Sequence, residues 1–249
     1  MLNLPLPFGV EQPKNKKMRA TLSLMMAGLP LLLGAQEVQH AGAMRPVMLG
    51  QSLDNHLYWD SLPAAGLWGI APLERLQGEV TVADGAVYVA RVDAEGRLVM
   101  QQEQQAASPF GVYAHAQHFI SAPVQASIEG LKDLETLAAE LAAKLGWEGE
   151  KPFLFRIQGE FAKVKIHVLD KPVDEAEHNH ELHNKAKRYF TYEHITGELI
   201  GFYSTQHEGV YTHKGDYTHV HFLDAERQAM GHLDDIVIAG EVVFLLPAQ

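Results

Sequence analysis

The chain has 249 residues, with 20 Lys or Arg against 31 Asp or Glu, 14 His and a formal net charge of −11. An acidic chain without a basic stripe is a poor partner for nucleic acid. It contains no cysteine, which excludes disulfides and thiolate chemistry, so a bound metal would need imidazole and carboxylate ligands.

The N-terminus has the pattern of a secretory signal peptide. Positive charges precede an apolar run over residues 21–33, which is too short to span a bilayer comfortably, and the small residues Gly34 and Ala35 follow. The pattern predicts a signal peptide over residues 1–35 and a mature domain over residues 36–249. It also predicts export, to the periplasm in a bacterium, with no stable membrane anchor after the signal is removed.

The clearest secondary structure lies in the middle of the chain. Period-two alternation predicts three strands within residues 76–100, with hairpin turns at Asp84-Gly85 and Glu95-Gly96. Leucines spaced by three and four predict one amphipathic helix with Ser127 as its N-cap and Gly146 as its stop.

The second half of the chain is rich in predicted strands and includes a predicted hairpin over residues 195–205. Further strands are expected over residues 152–170, 217–223 and 235–247. The order of elements has little βαβ alternation. It therefore predicts an α+β fold of two packed sheets, mixed or antiparallel, with few helices.

Three histidines stand close together near the C-terminus: His219, His221 and His232. Alternate side chains of a strand share a face, so the segment YTHVHFL places the first two on one side, roughly 7 Å apart. If the chain reverses at Gly231, His232 begins a neighbouring strand and can approach the same point. Three neutral imidazoles with open positions are typical of a catalytic zinc site, and Mn, Fe, Co or Ni would suit the same ligands. A solvated strand face is the simpler alternative.

A second histidine cluster, His178, His180 and His183, occupies a highly charged segment. Its spacing is one residue too short for a His-Glu-x-x-His zinc motif, and we expect a solvated surface. His207 and His213 lie in a predicted loop before the main cluster. The sequence leaves open whether they line its cavity or are exposed.

Five segments resemble, in order, the bacterial α-acetolactate decarboxylases. The segment THVHFLDAERQAMGHLDD resembles the family's C-terminal signature, a His-x-His-Phe followed by Gly-Gly-His. The segments LQGEV, SPFGVYA, FLFRIQGEF and ITGELIGFYS resemble four further landmarks of that family. The similarity extends from about Met48 to Ile238.

The resemblance implies a metal-dependent enzyme that converts acetolactate, a small α-hydroxy-β-keto acid, to acetoin and CO2, with the metal stabilising the enediolate. It also implies a two-part α+β fold and often a homodimer. Carried onto this chain, His219, His221 and His232 would hold Zn²⁺. Arg156 would bind the substrate carboxylate, and Glu79 would be the acid/base near the metal. A Lewis acid, a guanidinium fork and a carboxyl group each have a role in such a reaction.

The chain departs from the family pattern at several positions. Pro72 stands where the family has a threonine, and Met230 where it has the first glycine of Gly-Gly-His. The family's C-terminal glutamate has no match, which leaves Glu208, Asp234 and Asp235 as candidate replacements. These departures keep two alternatives open, a zinc-dependent ester hydrolase and an exported, non-catalytic zinc-binding protein.

Overall fold

A computed structural model describes residues 37–147 and 150–248. The predicted signal peptide, residues 1–35, lies outside the described residues. The elements of the described part, apart from two short 3-10 turns, are β1 Gln39–Ala41, α1 Met44–Met48, β2 Leu57–Tyr58, β3 Leu67–Pro72, β4 Glu79–Ala83, β5 Ala86–Val92, β6 Leu98–Gln102, β7 Ala107–Ser108, β8 Gly111–His115, β9 Phe119–Glu129, α2 Leu131–Lys144, β10 Phe153–Leu169, α3 His180–Ala186, β11 Lys187–Tyr203, β12 Thr218–Asp224 and β13 Met230–Pro247.

The first large sheet has six strands in the order β1-β8-β3-β4-β5-β6, and every pairing in it is antiparallel. The three strands predicted within residues 76–100 are its β4, β5 and β6, so this prediction is confirmed. Asp84 and Gly85 both have positive φ, 48° and 82°, as a tight two-residue hairpin requires. The residues of the turn therefore determine the pairing of β4 with β5.

The second large sheet has five strands in the order β10-β11-β12-β13-β9. Strand β10 also pairs with β13, so that β10, β11, β12 and β13 close on themselves around an apolar interior. The largest of its fully buried side chains are phenylalanines, at positions 155, 161, 222 and 244.

The hairpin predicted over residues 195–205 is wrong, because those residues lie within the continuous strand β11 or just after it. Gly197 and Gly201 suggested a turn, but they make room for aromatic rings. A Cβ at Gly197 would stand 2.6 Å from the Phe222 ring, and one at Gly201 would overlap the Phe155 ring. These glycines are needed for close packing, which a local pattern cannot distinguish from a turn.

Helix α2 packs its leucine stripe against the second sheet, with Leu134 and Leu141 buried. The predicted N-cap is wrong, because Ser127 belongs to β9 and the residue before the first turn is Gly130. The predicted end is confirmed, because Gly146 adopts φ 88° just after the helix. At 14 residues α2 is the longest of the described helices, and none of them is long and apolar enough to cross a bilayer.

The two large sheets pack against each other through an apolar layer. Trp68 and Ile70 of β3 meet Leu154 of β10, Ile200 of β11 and Leu223 of β12 in this layer. The α+β prediction with few helices is confirmed, and all strand pairings among the described residues are antiparallel. Polar side chains interrupt the layer at two places, around His221 and around Arg156.

Candidate metal centre

The structure brings His219, His221 and His232 together. The first two lie on one face of β12, and the register of β12 with β13 pairs His221 directly with His232. The ring centroid of His219 lies 5.3 Å from that of His221 and 5.0 Å from that of His232. The centroids of His221 and His232 are 5.8 Å apart. Imidazoles that share one ion at about 2.1 Å per nitrogen have centroids roughly 5 Å apart. The three rings are close to that spacing, although their donor nitrogens do not all lie within 4.8 Å of one another.

Each of these three rings has a buried nitrogen that no described residue satisfies: Nδ1 of His219, Nε2 of His221 and Nδ1 of His232. Burial lowers the pKa of His219 to about 3 and holds the pKa values of the other two well below 6.5. The rings are therefore neutral at pH 7, the form that binds a metal ion. Three orphaned nitrogens on converging neutral imidazoles fit a divalent cation.

Strand β4 of the first sheet supplies two groups that face His221 across the layer. Thr81 Oγ1 lies 2.9 Å from Nδ1 of His221 and is hydrogen-bonded to it, while Glu79 Oε2 lies 3.8 Å from Nε2. The bond to Thr81 fixes the ring so that Nε2 faces Glu79. Sequence reasoning missed Thr81, although its position two residues after Glu79 on a strand places both on one face.

The carboxyl group of Glu79 is buried in this layer. Burial raises its pKa well above 4.5, and the positive charge of Lys187 opposes that shift in part. A carboxyl group with a raised pKa holds its proton to a higher pH than an exposed one and is better suited to donate it.

A fourth imidazole, His167, adjoins the three. It pairs with His232 across β10 and β13, its ring centroid lies 4.6 Å from that of His232, and its Nδ1 is 2.7 Å from Asp234 Oδ2. Among the described residues, His167, His232 and Asp234 form the one group of three with ligand atoms within 4.8 Å of one another. Asp234 is already bonded to His167, the arrangement of a carboxylate that orients an imidazole. The unsatisfied nitrogens of His219 and His221 keep these two rings as candidate partners of His232.

The three candidate replacements for the family's C-terminal glutamate differ in their distance from this site. Asp234 lies at the site, whereas Asp235 pairs with Lys163 at 2.9 Å and Glu208 accepts a hydrogen bond from the backbone of Gly215. Nothing in the sequence marked His167, because its partner His232 is distant in sequence and only the strand register joins them.

These groups surround a cavity of about 20 Å³, which we call the histidine cavity. Its polar wall consists of Glu79, His167, His183, His213, His219 and His232. Met44 and Met48 of α1, Pro72, Phe110 and Leu169 form its apolar wall. Pro72, which stands where the family pattern has a threonine, lines this cavity and pairs with Glu79 in the β3–β4 register. The departure from the family pattern therefore lies at the cavity.

The second histidine cluster is not the solvated surface that we expected. His178 and His183 are buried with ring centroids 5.5 Å apart, and only His180 of the three is exposed. The ring of His183 reaches the histidine cavity because α3 lies beside it, and burial lowers its pKa to about 3. Of the two loop histidines, His213 lines the cavity, whereas His207 stacks on Tyr211 at 4.8 Å.

Arg156 is not among the residues that line the histidine cavity. The register pairs it with Ile200, and Ile200 with His221, so Arg156 lies on the same face of the sheet as His221, two strands away. Its guanidinium lies 3.8 Å from the centroid of the Trp68 ring and 4.7 Å from that of Phe119, and its Nε donates to Glu198. These residues line a separate space of about 320 Å³, which we call the arginine cleft. Arg156 faces the same inter-sheet layer, where it forms an ion pair with Glu198.

Comparison with known proteins identifies the family of the chain. The family model described as alpha-acetolactate decarboxylase matches residues 40–245. The chain belongs to the alpha-acetolactate decarboxylase family. Among the relatives in that family, the alpha-acetolactate decarboxylase of Bacillus licheniformis is 28% identical over 192 residues, which are 74% of this chain and 69% of the relative. The Bacillus subtilis protein of the same name is 24% identical over 191 residues, 74% of this chain and 68% of the relative.

Solved structures of alpha-acetolactate decarboxylases share the fold. The crystal structure of the enzyme from Bacillus subtilis strain 168 superposes with a TM-score of 0.69 at 21% identity, covering 86% of each chain. A Staphylococcus aureus protein of unknown function, described as similar to the decarboxylase, gives a TM-score of 0.68 at 19% identity and covers 85% of this chain and 86% of its own. At these identities the likeness concerns the fold.

Proposed function

We propose that this protein decarboxylates 2-acetolactate, or a similar α-hydroxy-β-keto acid, to acetoin and CO2. The observation that carries the proposal is the approach of Glu79 and Thr81 to His221, beside a cavity that His219 and His232 line and where all three imidazoles have unsatisfied nitrogens. Membership of the decarboxylase family supports the same reaction.

In this proposal His219, His221 and His232 hold the metal. Imidazole ligands suit Zn²⁺, and Mn, Fe, Co or Ni can take the same set. A divalent cation in that position supplies Lewis-acid stabilisation of the negative charge that develops as CO2 leaves. Thr81 keeps the ring of His221 in its binding orientation.

Glu79 completes the reaction by moving a proton. Loss of CO2 leaves an electron pair on carbon, and formation of acetoin requires that this carbon gain one proton. The buried carboxyl of Glu79, with its raised pKa, is suited to donate that proton and regain it from solvent. The apolar wall excludes water, and the flexible side chains of Met44 and Met48 can repack around the substrate's methyl groups.

The test is an assay of CO2 and acetoin released from racemic acetolactate, together with elemental analysis of the purified protein. We expect both products and about one divalent ion per chain. Cleavage of a chromogenic ester without CO2 release would point to the hydrolase instead. Uptake of several ions per chain with neither activity would point to a metal-binding protein.

We also propose that the protein is exported through the signal pattern in residues 1–35. Fractionation of the source bacterium should recover a shortened chain outside the cytoplasm. A full-length chain that stays in the cytoplasm would contradict this.

A further inference from the structure

The ring of His167 lies closer to that of His232 than the rings of the other two proposed ligands do. Its centroid is 4.6 Å from that of His232, against 5.0 Å for His219 and 5.8 Å for His221. His167 also lines the histidine cavity, and it meets His232 in direct register across β10 and β13. We propose that His167 is a fourth imidazole ligand of the metal centre, held in position by Asp234.

The distances between donor atoms point to the same residue. His167, His232 and Asp234 each offer a ligand atom within 4.8 Å of the other two, whereas His219, His221 and His232 do not form such a group. Ligand atoms that share one ion can be no farther apart than about 4.2 Å, since each lies about 2.1 Å from it. His167 and His232 are therefore near the spacing that a shared ion requires.

The hydrogen bond to Asp234 determines which nitrogen of His167 is available to a metal ion. Nδ1 of His167 lies 2.7 Å from Oδ2 of Asp234, and because a carboxylate accepts, Nδ1 carries the proton of this bond. The neutral ring then has its lone pair on Nε2, the opposite nitrogen. Histidine ligands of metal ions usually donate their other ring N–H to a carboxylate in this way, which fixes the tautomer and the orientation of the ring.

A β-bulge brings Asp234 to His167. In the register of β10 with β13, Leu233 and Asp235 face consecutive residues of β10, so Asp234 is an extra residue without a direct partner. Bulges of this kind re-aim a side chain and are frequent beside active sites. The bulged residue is the one whose carboxylate bonds to His167, which indicates that the irregularity of β13 serves this contact.

His213 provides a comparison within the same cavity. It lines the histidine cavity as His167 does, but its ring centroid is 5.7 Å from that of His232 and the ring planes cross at 77°, against 34° for His167. In the described part of the chain, no carboxylate lies within 4.0 Å of the ring nitrogens of His213. His213 is therefore the matched control, an imidazole beside the metal centre that nothing orients as a ligand.

The experiment measures the zinc affinity of the full-length protein by competition with a chromogenic chelator, which requires no turnover. We expect Asp234→Asn to weaken zinc binding roughly 10- to 100-fold, because the orientation of a ligand is lost, and His167→Asn to weaken it further, because the ligand itself is lost. His213→Asn should stay within about twofold of the wild type. A loss in His167→Asn no greater than that in Asp234→Asn, or an equal loss in His213→Asn, would overturn the assignment.

Cobalt(II) supplies a spectroscopic readout that a purely structural role of His167 would not change, because its visible absorption depends on the number and type of its ligands. We expect the bands of the cobalt-loaded His167→Asn protein to differ in position and intensity from those of the wild type, and His213→Asn to match the wild type. An unchanged spectrum in His167→Asn would mean that this ring does not bind the ion. If His167→Asn does not fold, the zinc affinity of Asp234→Asn decides, and a value equal to that of the wild type would overturn the assignment.

The inference rests on the proposed function for its metal centre, and the two can fail separately. If acetolactate is not decarboxylated but zinc affinity and the cobalt spectrum depend on His167, the proposed reaction fails and the fourth ligand stands. If acetoin and CO2 are released while His167→Asn binds zinc as the wild type does, the fourth ligand fails alone.

Discussion

The histidine cavity and the arginine cleft lie in the same inter-sheet layer and differ in how their polar groups are satisfied. In the arginine cleft, the guanidinium of Arg156 bonds to Glu198 and stacks on Trp68 and Phe119. At the histidine cavity, buried nitrogens of His183, His219, His221 and His232 have no partner among the described residues. Folding selects satisfied buried groups, so the groups left unsatisfied indicate where a ligand is bound.

The arginine cleft is the larger of the two, about 320 Å³ against about 20 Å³, yet its central cation, Arg156, is already paired with Glu198. The size of a cleft therefore does not by itself locate the chemistry. A buried ion pair such as Arg156–Glu198 can be structural, in which case its loss affects stability rather than turnover.

The largest effect should follow from removing a metal ligand. We expect His221→Ala to lose its bound metal and to lower kcat/KM at least roughly 100-fold, because a proposed ligand and the contact to Thr81 disappear together. Elemental analysis and the acetolactate assay check both effects. The exposed His194→Ala is the control, and full metal content in His221→Ala would remove this residue from the centre.

The next largest effect should follow from Glu79→Gln, which keeps the shape of the side chain and removes its acid. We expect kcat to fall roughly 10²- to 10⁴-fold, because the proton donor is lost, while metal is retained. Single-turnover kinetics separate this step from binding. The exposed Glu74→Gln should behave as the wild type, and a Glu79→Gln protein with normal kcat would place the proton donor elsewhere.

A substitution in the arginine cleft should lower stability and leave activity nearly unchanged. We expect Arg156→Met to leave KM and kcat within about twofold, and to lower the free energy of unfolding by about 3 kcal/mol, because Glu198 is left buried without its cation. Denaturant unfolding measures the loss, and adding Glu198→Gln should recover much of it. A KM increase of roughly tenfold or more would break the contrast between the two regions.

The last effect concerns the pH dependence of stability. The pKa of His183 is about 3 in the folded chain and near 6.5 in the unfolded one, so the unfolded chain binds more protons between these values. This contribution to stability is complete above pH 6.5 and falls by about 1.4 kcal/mol per pH unit as the pH drops toward 3.

We expect His183→Asn to reduce the slope of the free energy of unfolding against pH by about 1.4 kcal/mol per pH unit, which corresponds to one proton. The exposed His180→Asn serves as its control. Urea unfolding of metal-free protein at several pH values between 4 and 7 checks it. An unchanged slope in His183→Asn would mean that this imidazole is solvated, as the sequence pattern first indicated.

Local periodicity accounts for what could be predicted. The hairpin at Asp84-Gly85, the leucine stripe of α2 and the shared face of His219 and His221 follow from turn chemistry and side-chain spacing. The hairpin expected over residues 195–205 failed because Gly197 and Gly201 serve ring packing from distant strands. Arg156 carried a family motif, but its partner Glu198 lies on another strand, 42 residues away.

The sequence by itself therefore determined the α+β architecture, the family and the three histidines that we propose as ligands, because each depends on residues that are neighbours along the chain or on motifs in order. The tertiary structure alone decided that His167 joins His232 and that His183 is buried. Strand register between distant segments sets those contacts, and no local pattern encodes register across so many residues.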